Sequence, residues 1–236
     1  MTDELDAHRV PAHAVVIASG GLDSTVLAHW LADRGSRVTL LSFDYGQRHR
    51  VELEYAAEAA KRLGARHEVV ELTSLGRLLS GSALTDPAVD VPDGHYAADS
   101  MRSTVVPNRN AVMLDIAVSV AIAVGADAVA FGAHAGDHTV YPDCRPEFVE
   151  HFTRSAFTAN EGLLPSWFQV LAPFLSLTKA QIVRLGAELG VLFERTWSCY
   201  RGEELHCGRC GTCVERKEAF SAHDLVDPVA YQGGRS

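Results

Sequence analysis

The stretch AVVIASGGLDST, residues Ala14–Thr25, decides the fold. It begins with a short apolar run to Ala18, which is typical of a buried strand in a parallel sheet. The chain then turns on Ser19-Gly20-Gly21 and enters a helical pattern at about Ser24. Glycines let the backbone approach an anion closely, and the start of a helix favours negative charge. The stretch therefore predicts a strand, a loop and a helix that together bind phosphate.

This loop differs from two common nucleotide-binding motifs. A Walker A loop has the pattern G-x-x-x-x-G-K-[ST], but no lysine follows Gly20 and Gly21. The loop does not match the G-x-G-x-x-G pattern of dinucleotide-binding proteins either. The alternative to a phosphate-binding loop is an ordinary glycine-rich turn between a strand and a helix.

The composition favours a small-molecule enzyme. The chain has 236 residues, 47% of them apolar, which is enough for one sizeable α/β domain with an appendage. A net charge of −9 argues against a broad nucleic-acid surface, which needs clustered Lys and Arg. No apolar run approaches the length of a membrane span, and the N-terminal sequence MTDELDAHRV carries no secretory signal. We therefore expect a cytoplasmic protein.

Apolar runs alternate with helical periodicities along the chain, which predicts a parallel sheet with crossover helices. Such a sheet binds its ligand in a crevice at the carboxyl ends of the strands. The predicted strands are 14–18, 38–43, 67–72, 128–131 and 169–172, and the main predicted helices begin at about 24, 110, 146 and 178.

Three further predictions concern the organisation of the chain. The helix at 110–124 is apolar nearly all round, so we expect it to be buried. Residues 73–100 show little periodicity and are predicted to form a mobile lid. An α/β domain is expected at 1–175, and a helical segment at 176–236.

Four of the five cysteines follow the pattern C-x7-C-x2-C-x2-C. Thiolates at this spacing can bind one Zn²⁺, and four of them leave no open position, so the site would be structural. Four reduced cysteines without metal, or an iron–sulfur cluster, are the alternatives. His206 would be a spare ligand and is expected to be exposed, and the fifth cysteine, Cys144, is expected to be packed. The four ligands would be Cys199, Cys207, Cys210 and Cys213.

Polar residues follow several predicted strands. Phe43–Arg48 follows the second strand and could contact adenine or ribose, and Arg109 could neutralise a phosphate or a carboxylate. Residues 132–147 carry two His, two Asp and an Arg within a dozen positions, which favours ligand contact over packing. Lys179 lies in the first turn of its helix and is a candidate cation for pyrophosphate.

Taken together, these motifs resemble one family. SGGLDST, SFDYGQRH, the Arg109-Asn110 pair, YPDCRPEF, LTKAQI and the cysteine pattern follow one another across about 200 residues. SGG-x-DS resembles the PP-loop of the ATP pyrophosphatases, and the whole set resembles the 7-cyano-7-deazaguanine (preQ0) synthase family of the queuosine pathway. SFDYGQRH, YPDCR and the cysteine spacing separate this family from other PP-loop enzymes, such as NAD synthetase and the tRNA thiolases.

The resemblance implies an α/β, Rossmann-like fold of the adenine nucleotide α-hydrolase type, with a C-terminal zinc-binding helical segment. It also implies an ATP-dependent ligase. In the family reaction, ATP adenylates the carboxylate of 7-carboxy-7-deazaguanine, ammonia displaces AMP to give an amide, and a second ATP converts the amide into the nitrile. The co-substrate is ATP with Mg²⁺, and the structural metal is Zn²⁺. We expect a homodimer that acts on small molecules, with no direct contact to nucleic acid or membrane.

Three groups of site residues are implied by position. Asp23, Ser24 and Lys179 would be catalytic. The deazaguanine would contact Asp137, Asp143 and Arg145. ATP would bind Ala18, Ser19, Gly20, Gly21, Leu22, Asp23, Ser24, Thr25, Phe43 and Arg109.

Two segments depart from the family's pattern near the expected substrate pocket. Residues 103–110 read STVVPNRN where T-Y-V-P-A-R-N is expected, and residues 133–140 read AHAGDHTV where V-N-A-V-D-Y-S-G is expected. A related ligase that stops at the amide, or that attaches the activated deazaguanine to another amine, would keep the remaining motifs. A zinc-knuckle module that binds tRNA is an alternative from another class, and the acidic charge disfavours it.

Overall fold

The structure is a computed structural model that describes residue 5, residues 8–96 and residues 99–234. Five parallel strands form one sheet in the order β3-β2-β1-β4-β5. The predicted parallel sheet is therefore confirmed, and each predicted strand lies within one residue of the observed bounds. The strands are β1 His13–Ile17, β2 Arg37–Asp44, β3 Arg66–Glu71, β4 Ala128–Ala130 and β5 Gln169–Leu171.

Helices cover both faces of the sheet. They are α1 Leu22–Asp33, α2 Glu52–Leu63, α3 Thr73–Gly76, α4 Arg109–Val124, α5 Pro146–Ala159, α6 Lys179–Glu188 and α7 Gly211–Ser221. Short 3₁₀ helices lie at Asp99–Thr104, Ala135–Thr139, Pro142–Cys144 and Phe193–Arg195. Within the described residues, none of the helices combines the length and apolarity needed to cross a membrane.

The central strand β1 separates two apolar layers. Its side chains alternate between the faces of the sheet, so Ala14 and Val16 pack with α1 and α6, whereas Val15 packs with α4 and α5. The strand order reverses between β1 and β4, because the chain first adds β2 and β3 on one side and later β4 and β5 on the other. A crevice at the carboxyl ends of β1 and β4 follows from this topology.

The prediction that α4 is buried nearly all round is wrong. Met113, Leu114 and Ala117 on its inner face are buried against the sheet, but Asp115 and Ser119 are exposed. The helix covers the sheet from outside, and no further layer lies over it in the described part of the chain. The helix therefore has more apolar residues than its one buried face accommodates.

The segment 73–100 is tied to the body of the protein at several points. Arg48 donates hydrogen bonds to the carbonyl oxygens of Asp86 and Val89 at 3.1 and 2.9 Å, and Arg201 donates to that of Val91 at 3.0 Å. The mobility predicted for this segment and the domain division after residue 175 stay predictions. Residues 97 and 98 of the segment, and residues 1–4, 6 and 7 of the N-terminal sequence, lie outside the described residues.

A buried arginine fixes α7. Arg216 is fully buried, and its guanidinium forms a two-pronged ion pair with Asp227 at 2.9 and 3.0 Å. It also donates to Thr196 Oγ1 at 2.7 Å and to the Phe193 carbonyl at 2.9 Å. Burial opposes ionisation of Asp227, but the hydrogen bonds and charge of Arg216 outweigh it and lower the pKa of that carboxyl. These contacts join α7 to the segments before and after it.

We expect Asp227→Ala to destabilise the protein by ~3–5 kcal/mol, because it leaves a fully buried guanidinium without its counter-charge. Urea denaturation monitored by tryptophan fluorescence measures the difference. Asp99→Ala is the matched control, since the Asp99 carboxylate is 98% exposed and lies 3.7 Å from Arg102. Equal losses in the two variants would show that the Arg216–Asp227 pair does not hold α7.

Candidate active site

A cavity opens at the carboxyl ends of β1 and β4, where the sequence predicted the ligand crevice. Segments that are far apart in sequence meet around it. The residues that line it include Ala18, Ser19, Gly21, Leu22, Asp23 and Ser24 after β1, Phe43, Tyr45, His49 and Glu52 from the end of β2 to the start of α2, Arg109 and Asn110 in α4, His134, Asp137, Tyr141 and Cys144 after β4, and Lys179, Trp197, Tyr200 and Thr212.

The turn after β1 is built around Gly20. Its φ is +80°, and a Cβ at this position would overlap the carbonyl oxygen of Glu52, so only glycine fits. The Ser19 hydroxyl accepts a hydrogen bond from the Gly21 N–H at 3.1 Å and lies 3.1 Å from the Ser24 hydroxyl. Gly21 is the N-cap of α1, so the turn lies at the positive end of the helix dipole. Of the predicted loop residues, Gly20 and Thr25 are not among those that line the cavity.

Lys179 brings α6 to this turn. A capping box between Thr178 and Gln181 starts the helix and makes Lys179 its first residue. The Lys179 ammonium lies 2.6 Å from Asp23 Oδ2, whereas Asp23 Oδ1 is buried and has no hydrogen-bond partner among the described residues. Burial disfavours the charge of Asp23, but the charges of Lys179 and His134 outweigh it and lower the pKa of that carboxyl. The structure thus joins two predicted catalytic residues in one ion pair.

His134 and Glu215 complete the surroundings of Lys179. His134 Nε2 lies 3.3 Å and Glu215 Oε2 lies 3.4 Å from the Lys179 ammonium. His134 Nδ1 accepts the Gly136 N–H at 3.1 Å, which fixes the orientation of the ring. Burial raises the pKa of Glu215, and the charge of Lys179 opposes this shift. Sequence reasoning missed Glu215, because nothing near the cysteine pattern distinguishes it from a surface residue of a short charged helix.

The three predicted substrate residues differ in position. Asp137 lines the cavity, but its two oxygens accept hydrogen bonds from the Tyr96 hydroxyl at 2.8 Å and the His134 N–H at 3.0 Å. Asp143 accepts the backbone N–H of Asn110 at 3.0 Å, and Arg145 donates to the His138 carbonyl at 2.9 Å. Neither Asp143 nor Arg145 is among the residues that line the cavity. Their contact with a substrate stays a prediction.

Arg109 lies among tyrosines in the wall of the cavity. Its guanidinium carbon is 5.8 Å from the centre of the Tyr141 ring, and Tyr45 also interacts with it. The Tyr141 hydroxyl is hydrogen-bonded to Thr104 at 2.7 Å and lies 3.3 Å from that of Tyr200. No ion pair of Arg109 with an acidic side chain is found in the described part of the chain. This cation is therefore available to an anionic ligand.

Two buried polar residues of the cavity wall, Glu52 and His49, were missed as site residues. Glu52 Oε1 accepts a hydrogen bond from Gln47 at 3.1 Å, and Oε2 lies 3.5 Å from His49 Nε2. Burial raises the pKa of Glu52 to about 8 and lowers that of His49 to about 3. Both side chains are therefore mainly neutral at pH 7. His49 is the last residue of the motif SFDYGQRH.

The four predicted metal ligands are close together. Cys199, Cys207, Cys210 and Cys213 are all buried, and their sulfur atoms lie within 4.8 Å of one another. The sulfurs of Cys207 and Cys213 are 3.9 Å apart, near the ~3.8 Å that tetrahedral geometry with 2.3 Å bonds requires. Backbone N–H groups of Cys207 and Cys210 donate to sulfur at 3.4 and 3.3 Å. Donor type, burial and spacing all fit one tetrahedral metal ion.

The expectation that His206 is exposed is wrong. It is buried against Trp197, with ring centres 4.4 Å apart, and its Nε2 accepts the backbone N–H of Ser198 at 3.1 Å. Burial lowers its pKa to about 4. Cys144 is buried as expected, and the Asn110 amide donates to its sulfur at 3.2 Å.

Comparisons with known proteins agree with these features. The family model "Queuosine biosynthesis protein QueC" matches residues 13–224. The 7-cyano-7-deazaguanine synthase 1 of Mesorhizobium japonicum is 56% identical over 220 residues, which are 93% of this chain and 94% of that protein. The 7-cyano-7-deazaguanine synthase of Paracoccus denitrificans is 54% identical over 218 residues, 92% of each protein.

A solved structure shows the same fold at much lower identity. The NMN synthetase from Francisella tularensis superimposes with a TM-score of 0.51 at 14% identity, over 91% of this chain and 78% of that one. The likeness supports the predicted PP-loop fold and nothing finer. Together with the family model and the relatives of more than half identity, it leads to one assignment: the chain belongs to the QueC family of queuosine biosynthesis proteins.

Proposed function

We propose that the chain is an ATP-dependent ligase that converts 7-carboxy-7-deazaguanine and ammonia into 7-cyano-7-deazaguanine, with release of AMP and pyrophosphate. One observation carries the proposal: the Lys179–Asp23 pair lies beside a glycine turn at the start of α1, in a chain 56% identical to a protein of that activity. A turn and a cation in this arrangement suit the phosphates of ATP.

The residues of the cavity support the first chemical step. A carboxylate is a poor electrophile, and its conversion to an AMP ester creates a leaving group. As the carboxylate oxygen bonds to the α-phosphorus of ATP, the bond to pyrophosphate breaks, and the N–H groups of the turn and the Lys179 ammonium stabilise the negative charge that grows on the departing pyrophosphate. Mg²⁺ bound with ATP supplies further positive charge at these oxygens. Asp23 Oδ1, which is without a hydrogen-bond partner among the described residues, is a suitable oxygen ligand for this ion.

The rest of the cavity accommodates the organic parts of the substrates. The end of β2 at Phe43 and the turn at Ala18 would hold adenosine, and Arg109 would bind an anionic group. The tyrosines around Arg109 offer flat faces to the deazaguanine ring. The sequence predictions of a homodimer, a cytoplasmic location and no contact with nucleic acid belong to this proposal.

The four cysteines would hold a structural Zn²⁺. Four thiolates leave no open position for a substrate, and the surrounding apolar residues, which include Trp197 and Tyr231, exclude water from the site. The metal would therefore stabilise the fold around α7 and take no part in bond making.

Turnover products test the proposed function directly. Incubation with ATP, ammonium and 7-carboxy-7-deazaguanine should give the nitrile and two AMP per product, measured by mass spectrometry and nucleotide chromatography. Asp23→Ala should lower turnover at least ~100-fold with the fold intact, because it removes the partner of Lys179. Asp33→Ala is the control, because Asp33 is exposed and lies at the end of α1, the helix that also carries Asp23.

Other products would decide against the proposal. An amide or a conjugate with one AMP would favour the related ligase, to which the departures at 103–110 and 133–140 point. Release of ADP and orthophosphate would exclude the PP-loop chemistry.

Replacement of one cysteine tests the metal site. Cys210→Ser should lower the bound zinc from one ion per chain and reduce thermal stability, since structural zinc contributes directly to folding. Metal analysis by mass spectrometry and an absorption spectrum provide the measurement. Cys144→Ser, outside the cluster, should keep the zinc. A visible absorption band with bound iron and sulfide would identify an iron–sulfur cluster in place of zinc.

Glu52 gives the stability of the protein a pH dependence. Its pKa is about 8 in the folded chain, against 4.5 when unperturbed, so between these values the unfolded chain has lost a proton that the folded chain keeps. The contribution of Glu52 to stability therefore falls as pH rises from 4.5 to 8. Glu52→Gln has no such proton, and its stability relative to wild type should increase steadily over this range.

Urea denaturation at pH 5, 6, 7 and 8 measures the difference between the two proteins. Glu58→Gln is the control, because Glu58 pairs with Arg62 at the surface and should show no trend. A stability difference between Glu52→Gln and wild type that stayed constant with pH would mean that Glu52 is not neutral in the folded protein.

A further inference from the structure

We propose that Glu215 positions the Lys179 ammonium for its action on the phosphates of ATP, and thereby links the cysteine cluster to the active site. This inference rests on the proposed function, because it assigns Lys179 to the departing pyrophosphate. Glu215 is a positioning residue here, acting through Lys179.

The contacts of Lys179 place it between two carboxylates from distant parts of the chain. Its ammonium is 2.6 Å from Asp23 Oδ2 and 3.4 Å from Glu215 Oε2. The three side chains are largely buried, with exposed fractions of 12% for Lys179, 21% for Asp23 and 13% for Glu215. Asp23 Oδ2 accepts a hydrogen bond from the ammonium, whereas Glu215 Oε2 makes an ion pair with it and has no hydrogen-bond partner among the described residues. A lysine held by Asp23 alone could swing on its flexible stem, and the second carboxylate restricts the ammonium to one position.

The turn after β4 is shaped to admit Glu215. A Cβ on Gly136 would lie 2.9 Å from Glu215 Oε1 and 2.9 Å from His134 Cε1. Gly136 does not have a left-handed φ, so its backbone does not require glycine. The missing side chain therefore makes room for Glu215 and for the imidazole of His134. Gly136 and His134 belong to the segment 133–140, in which the sequence departs from the family's pattern.

The cysteine cluster determines where Glu215 lies. Cys210 is the N-cap of α7, Cys213 is in the first turn, and Glu215 follows two residues later. Thr212 of the same turn lines the cavity, and its hydroxyl lies 3.4 Å from Cys210 Sγ. Any movement of the cluster is therefore transmitted to the residue beside Lys179.

This role predicts opposite effects on binding and turnover. Removing the charge of Glu215 makes the phosphate site more positive, which strengthens the binding of an anion. The same change leaves Lys179 with its contacts to Asp23 and His134, and this weaker restraint lowers the rate of the step that needs the ammonium in place. A residue that only supports the fold would instead weaken binding and lower stability together.

The test uses Glu215→Gln, which keeps the size of the side chain. Calorimetric titration with inorganic pyrophosphate and Mg²⁺ should show an affinity about two- to fivefold tighter than that of wild type. Turnover should fall about tenfold or more, with unchanged zinc content and melting temperature. Glu218→Gln is the matched control and should behave as wild type, because Glu218 is exposed and lies one turn further along α7.

Weaker pyrophosphate binding with a lower melting temperature would overturn the inference, as would wild-type turnover in Glu215→Gln. If wild type itself released no AMP with 7-carboxy-7-deazaguanine, the proposed function would fail, and the pyrophosphate titration would still decide the role of Glu215. Gly136→Ala provides a second approach, because its Cβ displaces the Glu215 carboxylate without changing any charge. Its effect on turnover should be smaller when Glu215 is already alanine, because only the overlap with the His134 ring then remains.

Discussion

The ion pair between Lys179 and Asp23 is the contact on which the arrangement of the cavity depends. It joins the first residues of α6 to the first residues of α1, which lie 156 positions apart in the chain. A lysine at the start of a helix faces the positive end of the helix dipole, which is unfavourable. Asp23 and Glu215 offset this cost. In the proposed function, the phosphates of ATP would meet an ammonium already placed and the starts of two helices.

The sheet topology explains why these helix starts meet. Helices α1 and α6 pack in the same apolar layer, on the face of the sheet that carries Ala14 and Val16 of β1. The turns that follow β1 and β4 open to the same edge, because parallel strands end at one edge of a sheet. Gly20 can then approach the backbone of α2 at Glu52, and this close contact fixes the turn from behind.

The sequence predicted the elements whose signals are local. Short apolar runs marked the strands, the capping box of Thr178 and Gln181 marked the start of α6, and cysteine spacing marked the cluster. Contacts that depend on tertiary packing were not predictable in this way. Glu215 differs from Glu218 only in the face of α7 it occupies, and that face is known only once the cluster orients the helix.

The wrong predictions have a related cause. His206 looked like a spare ligand because histidine often binds zinc, but its ring is used to fill the space beside Trp197 and to accept a backbone N–H. Helix α4 has apolar residues on nearly all sides, but only the face that packs on the sheet is buried, because burial depends on the neighbouring elements. In both cases, the position of a residue in the fold decided its burial, and its residue type did not.

In the C-terminal segment, one helix, α7, contributes to both the candidate metal site and the candidate active site. The cluster of buried residues around the four cysteines is small, and it includes Ala83, Val91, Trp197, Val229 and Tyr231. So small a core gives little hydrophobic stabilisation, and a metal ion together with the buried Arg216–Asp227 pair can supply what it lacks. A helix that a metal ion would hold at its start and that a buried arginine holds in its middle has little freedom to rotate. Glu215 lies between these two restraints, which makes it the residue of α7 best able to hold a flexible lysine in place.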